Sequence, residues 1–155
     1  LPELIRIKRG EDDDMSTGVT FGTAHSYRTW GLKLKKISIG FPEVKTAYVS
    51  VPGMDGDLDL TEATYGRVTY GMRTLEFVFD ARNCKYTDWS TLISRISAAI
   101  HGKKLAITLD TDPDYRYAGR CEISTEKTNN VTAQITISCK CDPFKTKADG
   151  SGGIL

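Results

Sequence analysis

Every second residue from Val131 to Cys139 is apolar or a thiol, and every residue between them is polar. Val131, Ala133, Ile135, Ile137 and Cys139 alternate with Thr132, Gln134, Thr136 and Ser138. Successive side chains of a strand point to opposite faces, so this run predicts a sheet with one dry and one wet side. Tyr115, Tyr117, Gly119, Cys121 and Ile123 alternate in the same way with Arg116, Ala118, Arg120 and Glu122. Two such runs, joined through Thr128-Asn129-Asn130, predict an antiparallel hairpin.

The alternation changes parity in two other places. Leu32 and Leu34 give way to Ile37 and Ile39 across Lys35-Lys36, and Val68, Tyr70 and Met72 give way to Leu75, Phe77 and Phe79 near Gly71. A β-bulge re-aims side chains in this manner, and bulged strands suit a sheet that curls. One segment has helical period: Trp89, Leu92, Ile93, Ile96 and Ile100 recur at spacings of three and four. Thr87 or Asp88 is placed to cap its start, Gly102 to end it, and His101 to meet the helix dipole in the last turn. Strands, one helix, then strands predict a mainly β fold, a β-sandwich or open barrel of antiparallel strands with one packed α-helix.

The 155 residues fit one domain, and an apolar share of 39% suffices for a core without a metal or disulfide staple. Twenty-one Lys and Arg against 20 Asp and Glu leave a net charge of +1, which excludes a basic footprint for phosphate neutralisation. No run approaches the roughly 18 apolar residues of a membrane helix, and no signal-peptide order opens the chain. A soluble protein assembled in a cytoplasm is expected, with no membrane partner. Residues 1–14, with Leu4-Ile5-Arg6-Ile7-Lys8 as a short strand and the acidic run Glu11 to Asp14 before Met15, read as an extension or assembly arm. Residues 15–147 read as the β domain, and residues 148–155, rich in glycine, as a flexible tail or linker.

Chemistry-bearing groups are sparse. Cys84, Cys121, Cys139 and Cys141 have no zinc-ribbon spacing, and buried free thiols are expected. Asp55, Asp57 and Asp59 lie in the Pro52-Gly53 turn region, but a calcium loop needs Glu at its twelfth position, which is Gly66 counted from Asp55. Asp110, Asp112 and Asp114 alternate in a turn-forming stretch, where spacing alone does not supply the separation that glycoside hydrolysis needs. There is no nucleophile elbow and no phosphate-binding glycine loop. The pattern contains no catalytic constellation and implies no cofactor and no metal site.

Several segments, taken in order, resemble a known family. Trp30-Gly31-Leu32, the run Val51-Pro52-Gly53-Met54-Asp55-Gly56-Asp57-Leu58-Asp59-Leu60-Thr61, and Arg73-Thr74-Leu75-Glu76-Phe77-Val78-Phe79 resemble the N-terminal, ring-forming domain of siphophage distal tail (Dit) proteins. Trp89 with its helix, Ile100-His101-Gly102-Lys103, the run from Leu109 to Arg120, and Cys141-Asp142-Pro143-Phe144 follow in the same order, so the resemblance spans about residues 20 to 145. It implies a tail-tube-like fold and a non-enzymatic structural protein of the virion tail tip. It further implies a hexameric ring that joins the tube to the baseplate or tip and lets DNA pass. Implied partners are further copies of the chain, the tail-tube protein and a tail-associated lysin or hub protein, with the tape-measure and receptor-binding proteins as further neighbours.

A ring subunit needs protruding contacts. Met54, Asp55, Asp57, Asp59, Glu62 and Arg67 are the candidates in the acidic turn and after it, with Lys33, Lys35 and Lys36 as complementary charges on a neighbour. Two alternatives remain open: a tail-tube subunit that stacks many rings, and a carbohydrate-binding receptor module in which Trp30, Tyr115 and Tyr117 form an exposed platform.

Overall fold

The computed structural model describes residues 17–81, 86–128 and 132–155. The expectations for residues 1–14, Met15, Cys84, Asn129-Asn130 and Val131 lie outside these residues. Among the described residues there are eleven strands and one α-helix: β1 Val19–Phe21, β2 Ala24–His25, β3 Lys33–Ile39, β4 Tyr48–Ser50, β5 Asp57–Asp59, β6 Arg73–Asp80, α1 Trp89–Ile100, β7 Lys104–Leu109, β8 Asp112–Thr128, β9 Thr132–Cys141, β10 Lys145–Lys147 and β11 Gly153–Ile154. The fold is mainly antiparallel β with one helix, as the alternation predicts.

The strand order of the large sheet is β2-β1-β7-β8-β9-β6-β3, while β4 and β5 form a separate ribbon. The predicted hairpin is its longest pairing, running from Gly119↔Cys141 to Thr128↔Thr132. Its inward residues Tyr117, Cys121, Ala133, Ile135, Ile137 and Cys139 are buried with Leu75, Phe77 and Phe79 of β6. The bulge expected at Lys35-Lys36 is a register shift between Leu34 and Lys36. The second parity change has another cause: Val68 to Met72 do not extend β6, which starts at Arg73.

The sheet is curled and stays open, with β2 and β3 at its two ends. β1 and β6 stand four places apart in the strand order, which on a flat sheet is about 19 Å. Yet the ring of Phe21 lies 5.7 Å from that of Phe77 and 6.4 Å from that of Phe79. The sheet therefore curls until its two ends share one core. Helix α1 packs Leu92, Ile96 and Ile100 into that core, and each buried side chain contributes about 1.5–3 kcal/mol before ordering costs.

The helix ends differ from expectation. Asp88 occupies the N-cap position without a side-chain cap bond, and His101 stands after the last turn in extended conformation. His101 Nδ1 accepts the N–H of Ile123 at 3.1 Å. This bond ties the helix end to β8. Gly102, at φ 75°, makes the turn into β7. Residues 148–155 carry β11, which pairs with β10, and β10 in turn pairs with Tyr115 and Arg116 of β8.

Candidate assembly interface

Between β3 and β6 the chain leaves the sheet for 33 residues, Gly40 to Met72. The two legs are tied at the root: Gly40 N–H donates to Thr74 O at 2.9 Å, Gly71 N–H to Glu43 O at 2.7 Å, and Lys45 N–H to Thr69 O at 2.9 Å. Val44 bridges Tyr70, whose ring stands edge-on to Phe144. Farther out, β4 and β5 pair in the register Tyr48↔Asp59, Val49↔Leu58 and Ser50↔Asp57. Val51 O accepts from Met54 N–H at 3.1 Å, with Gly53 at φ 83°. Proline second and a positive-φ glycine third define a type II turn.

This ribbon is amphipathic. Val49 and Leu58 face one another, and the period of two puts Val51 and Leu60 on their side, while Tyr48, Ser50, Asp57 and Asp59 take the other. All four apolar side chains are exposed, at 38–45%. Every residue from 43 to 60 is exposed, so among the described residues the ribbon rests on no core. A lone two-stranded hairpin is marginal in water, and an uncovered apolar face is where a partner gains most.

The root is held by a buried cation that the sequence did not reveal. Arg73 is 2% exposed. Its Nε donates to Gly40 O at 2.9 Å and its Nη1 to Pro143 O at 3.2 Å, while its guanidinium lies over the rings of Phe41 and Tyr117. It fastens the start of the arm to the end of β9. Only the alternation hinted at it: Arg73 falls on the inward parity of Leu75, Phe77 and Phe79.

The nine candidate residues lie in two places. Met54, Asp55, Asp57 and Asp59 occupy the arm's distal ribbon, and Glu62 and Arg67 its exposed return leg. Asp59 accepts the Thr61 N–H at 3.0 Å and the Thr61 hydroxyl, and these bonds hold its carboxyl below the usual range. Lys33, Lys35 and Lys36 are exposed on β3, the last strand of the sheet order. Lys35 Nζ reaches Asp80 Oδ2 at 3.5 Å. The arm starts at the opposite end of β3, about 20 Å from Lys33 at strand rise. One chain therefore keeps an acidic apolar arm and a basic strand edge apart.

The other chemistry-bearing groups are tied into the framework. Asp110 Oδ2 accepts from His25 Nε2 at 2.8 Å and from Gly18 N–H at 2.9 Å, and His25 Nδ1 accepts the N–H groups of Tyr27 and Arg28. Asp112 Oδ2 takes Lys145 Nζ at 2.6 Å, which raises the lysine's proton affinity. Cys121 and Cys139 are buried and free, with their sulfurs 2.9 Å apart. The Cys139 S–H donates to Cys121, which lowers the pKa of Cys121 and raises that of Cys139. The aromatic platform does not form: Trp30 and Tyr117 are buried in the core, and Tyr115 is half-buried beneath Lys145.

No protein-family model matches the chain, and no curated protein sequence matches it. Among solved structures, the chain is similar to the crystal structure of SPP1 Dit (gp 19.1), described as a paradigm of the hub adsorption apparatus in phages infecting Gram-positive bacteria, with a TM-score of 0.66 at 16% identity. The match covers 84% of this chain and 51% of the other, so the chain spans about half the length of that protein. The likeness is one of fold: the antiparallel sheet with its single helix is Dit-like.

Proposed function

We propose that this chain is a non-enzymatic structural subunit of a phage tail tip, which assembles with copies of itself into a ring. The observation that carries this reading is the amphipathic arm, exposed on its apolar side and rooted rigidly through Arg73. The Dit-like fold supports the tail-tip setting. Within the ring, the acidic arm of one copy lies along the β3 edge of the next, where Lys33, Lys35 and Lys36 meet its carboxylates and an apolar surface covers Val49 and Leu58. Such a contact is heterologous and closes by rotation, here as a hexamer. The ring sits between the tail tube and the tip hub or tail-associated lysin, is assembled in the host cytoplasm, and passes DNA through its lumen.

Light scattering and negative-stain microscopy test this. The wild-type chain is expected as closed rings of six masses, and the pair Val49→Asp with Leu58→Asp as folded monomers with an unchanged melting temperature. A wild-type chain that stays monomeric at high concentration, or a double variant that still forms rings, overturns the reading. Long stacked tubes would instead favour a tail-tube subunit.

A further inference from the structure

Cys121 and Cys139 are directly opposed across β8 and β9, and opposed residues of an antiparallel pair have Cα atoms about 4.5–5.5 Å apart, inside the range that a disulfide spans. Their sulfurs are 2.9 Å apart, so a bond of about 2.05 Å needs less than about 1 Å of travel. Cys141 is aimed elsewhere: its thiol faces the Cys139 carbonyl at 3.8 Å and the gap left by the missing Cβ of Gly119. All three thiols are wholly buried, so a small neutral oxidant suits them better than a bulky one.

We propose that Cys121 and Cys139 are a built-in modification site, which a two-electron oxidant of the peroxide class closes into a cross-strand disulfide. The thiol of Cys121 gives up its proton and the thiolate attacks one oxygen of hydrogen peroxide. The O–O bond breaks, hydroxide leaves and is protonated to water, and Cys121 becomes a sulfenic acid. The Cys139 thiol then attacks that sulfur, the S–O bond breaks, and the Cys139 proton leaves with the departing hydroxyl, so the S–S bond forms and a second water departs. Two thiols are oxidised and one peroxide is reduced to two waters. Because the second thiol already touches the first, the bridge forms before further oxidation.

The bridge fastens the two central strands of the sheet. Its timing rests on the tail-tip reading, under which the chain is made among reduced thiols and works outside the cell, where disulfides persist. Its chemistry does not.

Folded wild-type chain is incubated with low-millimolar hydrogen peroxide and analysed by intact mass, non-reducing peptide mapping and thermal melting. The expected result is a loss of two hydrogens, a Cys121–Cys139 linked peptide, and a melting temperature raised by about 5 °C or more, reversed by dithiothreitol. Cys141→Ala keeps the link, whereas Cys121→Ala and Cys139→Ala each lose it. Sulfinic acid at Cys121 without a link, a link through Cys84 or Cys141, or unmodified thiols throughout overturns the proposal. A chain that closes the bridge but never forms rings overturns the tail-tip reading alone, and rings without a bridge overturn this proposal alone.

Discussion

Gly119 is the residue at which three strands meet, opposite Leu105 on β7 and Cys141 on β9. A Cβ there would collide with the Cys141 sulfur and stand 2.8 Å from the Lys140 carbonyl oxygen. Gly119→Ala is therefore expected to cost about 1–3 kcal/mol, read as a lower urea midpoint. Adding Cys141→Ala should restore only part of it, because the backbone oxygen stays. Cys141 makes a second prediction possible. Burial pushes its thiol up to about 12 from an ordinary 9.0. The folded chain then keeps a proton that the unfolded chain has lost, so this contribution is whole below pH 9.0 and fades as pH rises toward about 12. Urea midpoints measured across that window should fall less steeply in Cys141→Ala than in the wild type.

At the scale of elements, the arm depends on a residue that does not belong to it. Arg73→Ala removes two charge-assisted bonds to carbonyls and the cation between Phe41 and Tyr117. A loss of about 3 kcal/mol is expected, with faster amide exchange at Lys45 and Gly71, whose bonds tie the legs. Equal exchange in the variant would show that the root holds without it. The helix and the β8–β9 hairpin were legible in the sequence because each follows one period over ten or more residues. The arm was not, since Val68, Tyr70 and Met72 alternate like a strand while only Tyr70 finds a bridge, to Val44. Its acidic and basic candidates could be named from charge, but the apolar side was hidden: Val49 and Leu58 face one another only through a register set by an intervening turn. The same limit hid the contact of Cys121 with Cys139, which depends on the hairpin register.

For the whole molecule, near-neutrality conceals two opposed poles. The segment from Phe41 to Met72 holds five carboxylates, Glu43, Asp55, Asp57, Asp59 and Glu62, against Lys45 and Arg67, while Lys33, Lys35 and Lys36 line the far strand edge. Lysines on an open edge keep identical edges from pairing, yet they admit an acidic strand, so this charge pattern discriminates arm-to-edge contact from edge-to-edge aggregation. Charges of this kind govern encounter more than final affinity, whereas the apolar side of the ribbon gains nothing from dilute salt. Raising salt from about 0.1 M to about 1 M shortens the screening length from about 10 Å to about 3 Å. Under the proposed assembly, stopped-flow light scattering should then show ring formation slowed roughly tenfold or more, while sedimentation at equilibrium still finds the same mass. Reversing Lys33, Lys35 and Lys36 to Glu should produce the same slowing already at low salt. If rings instead fall apart at about 1 M salt, the contact is held by charge, and the apolar side of the arm faces a different partner.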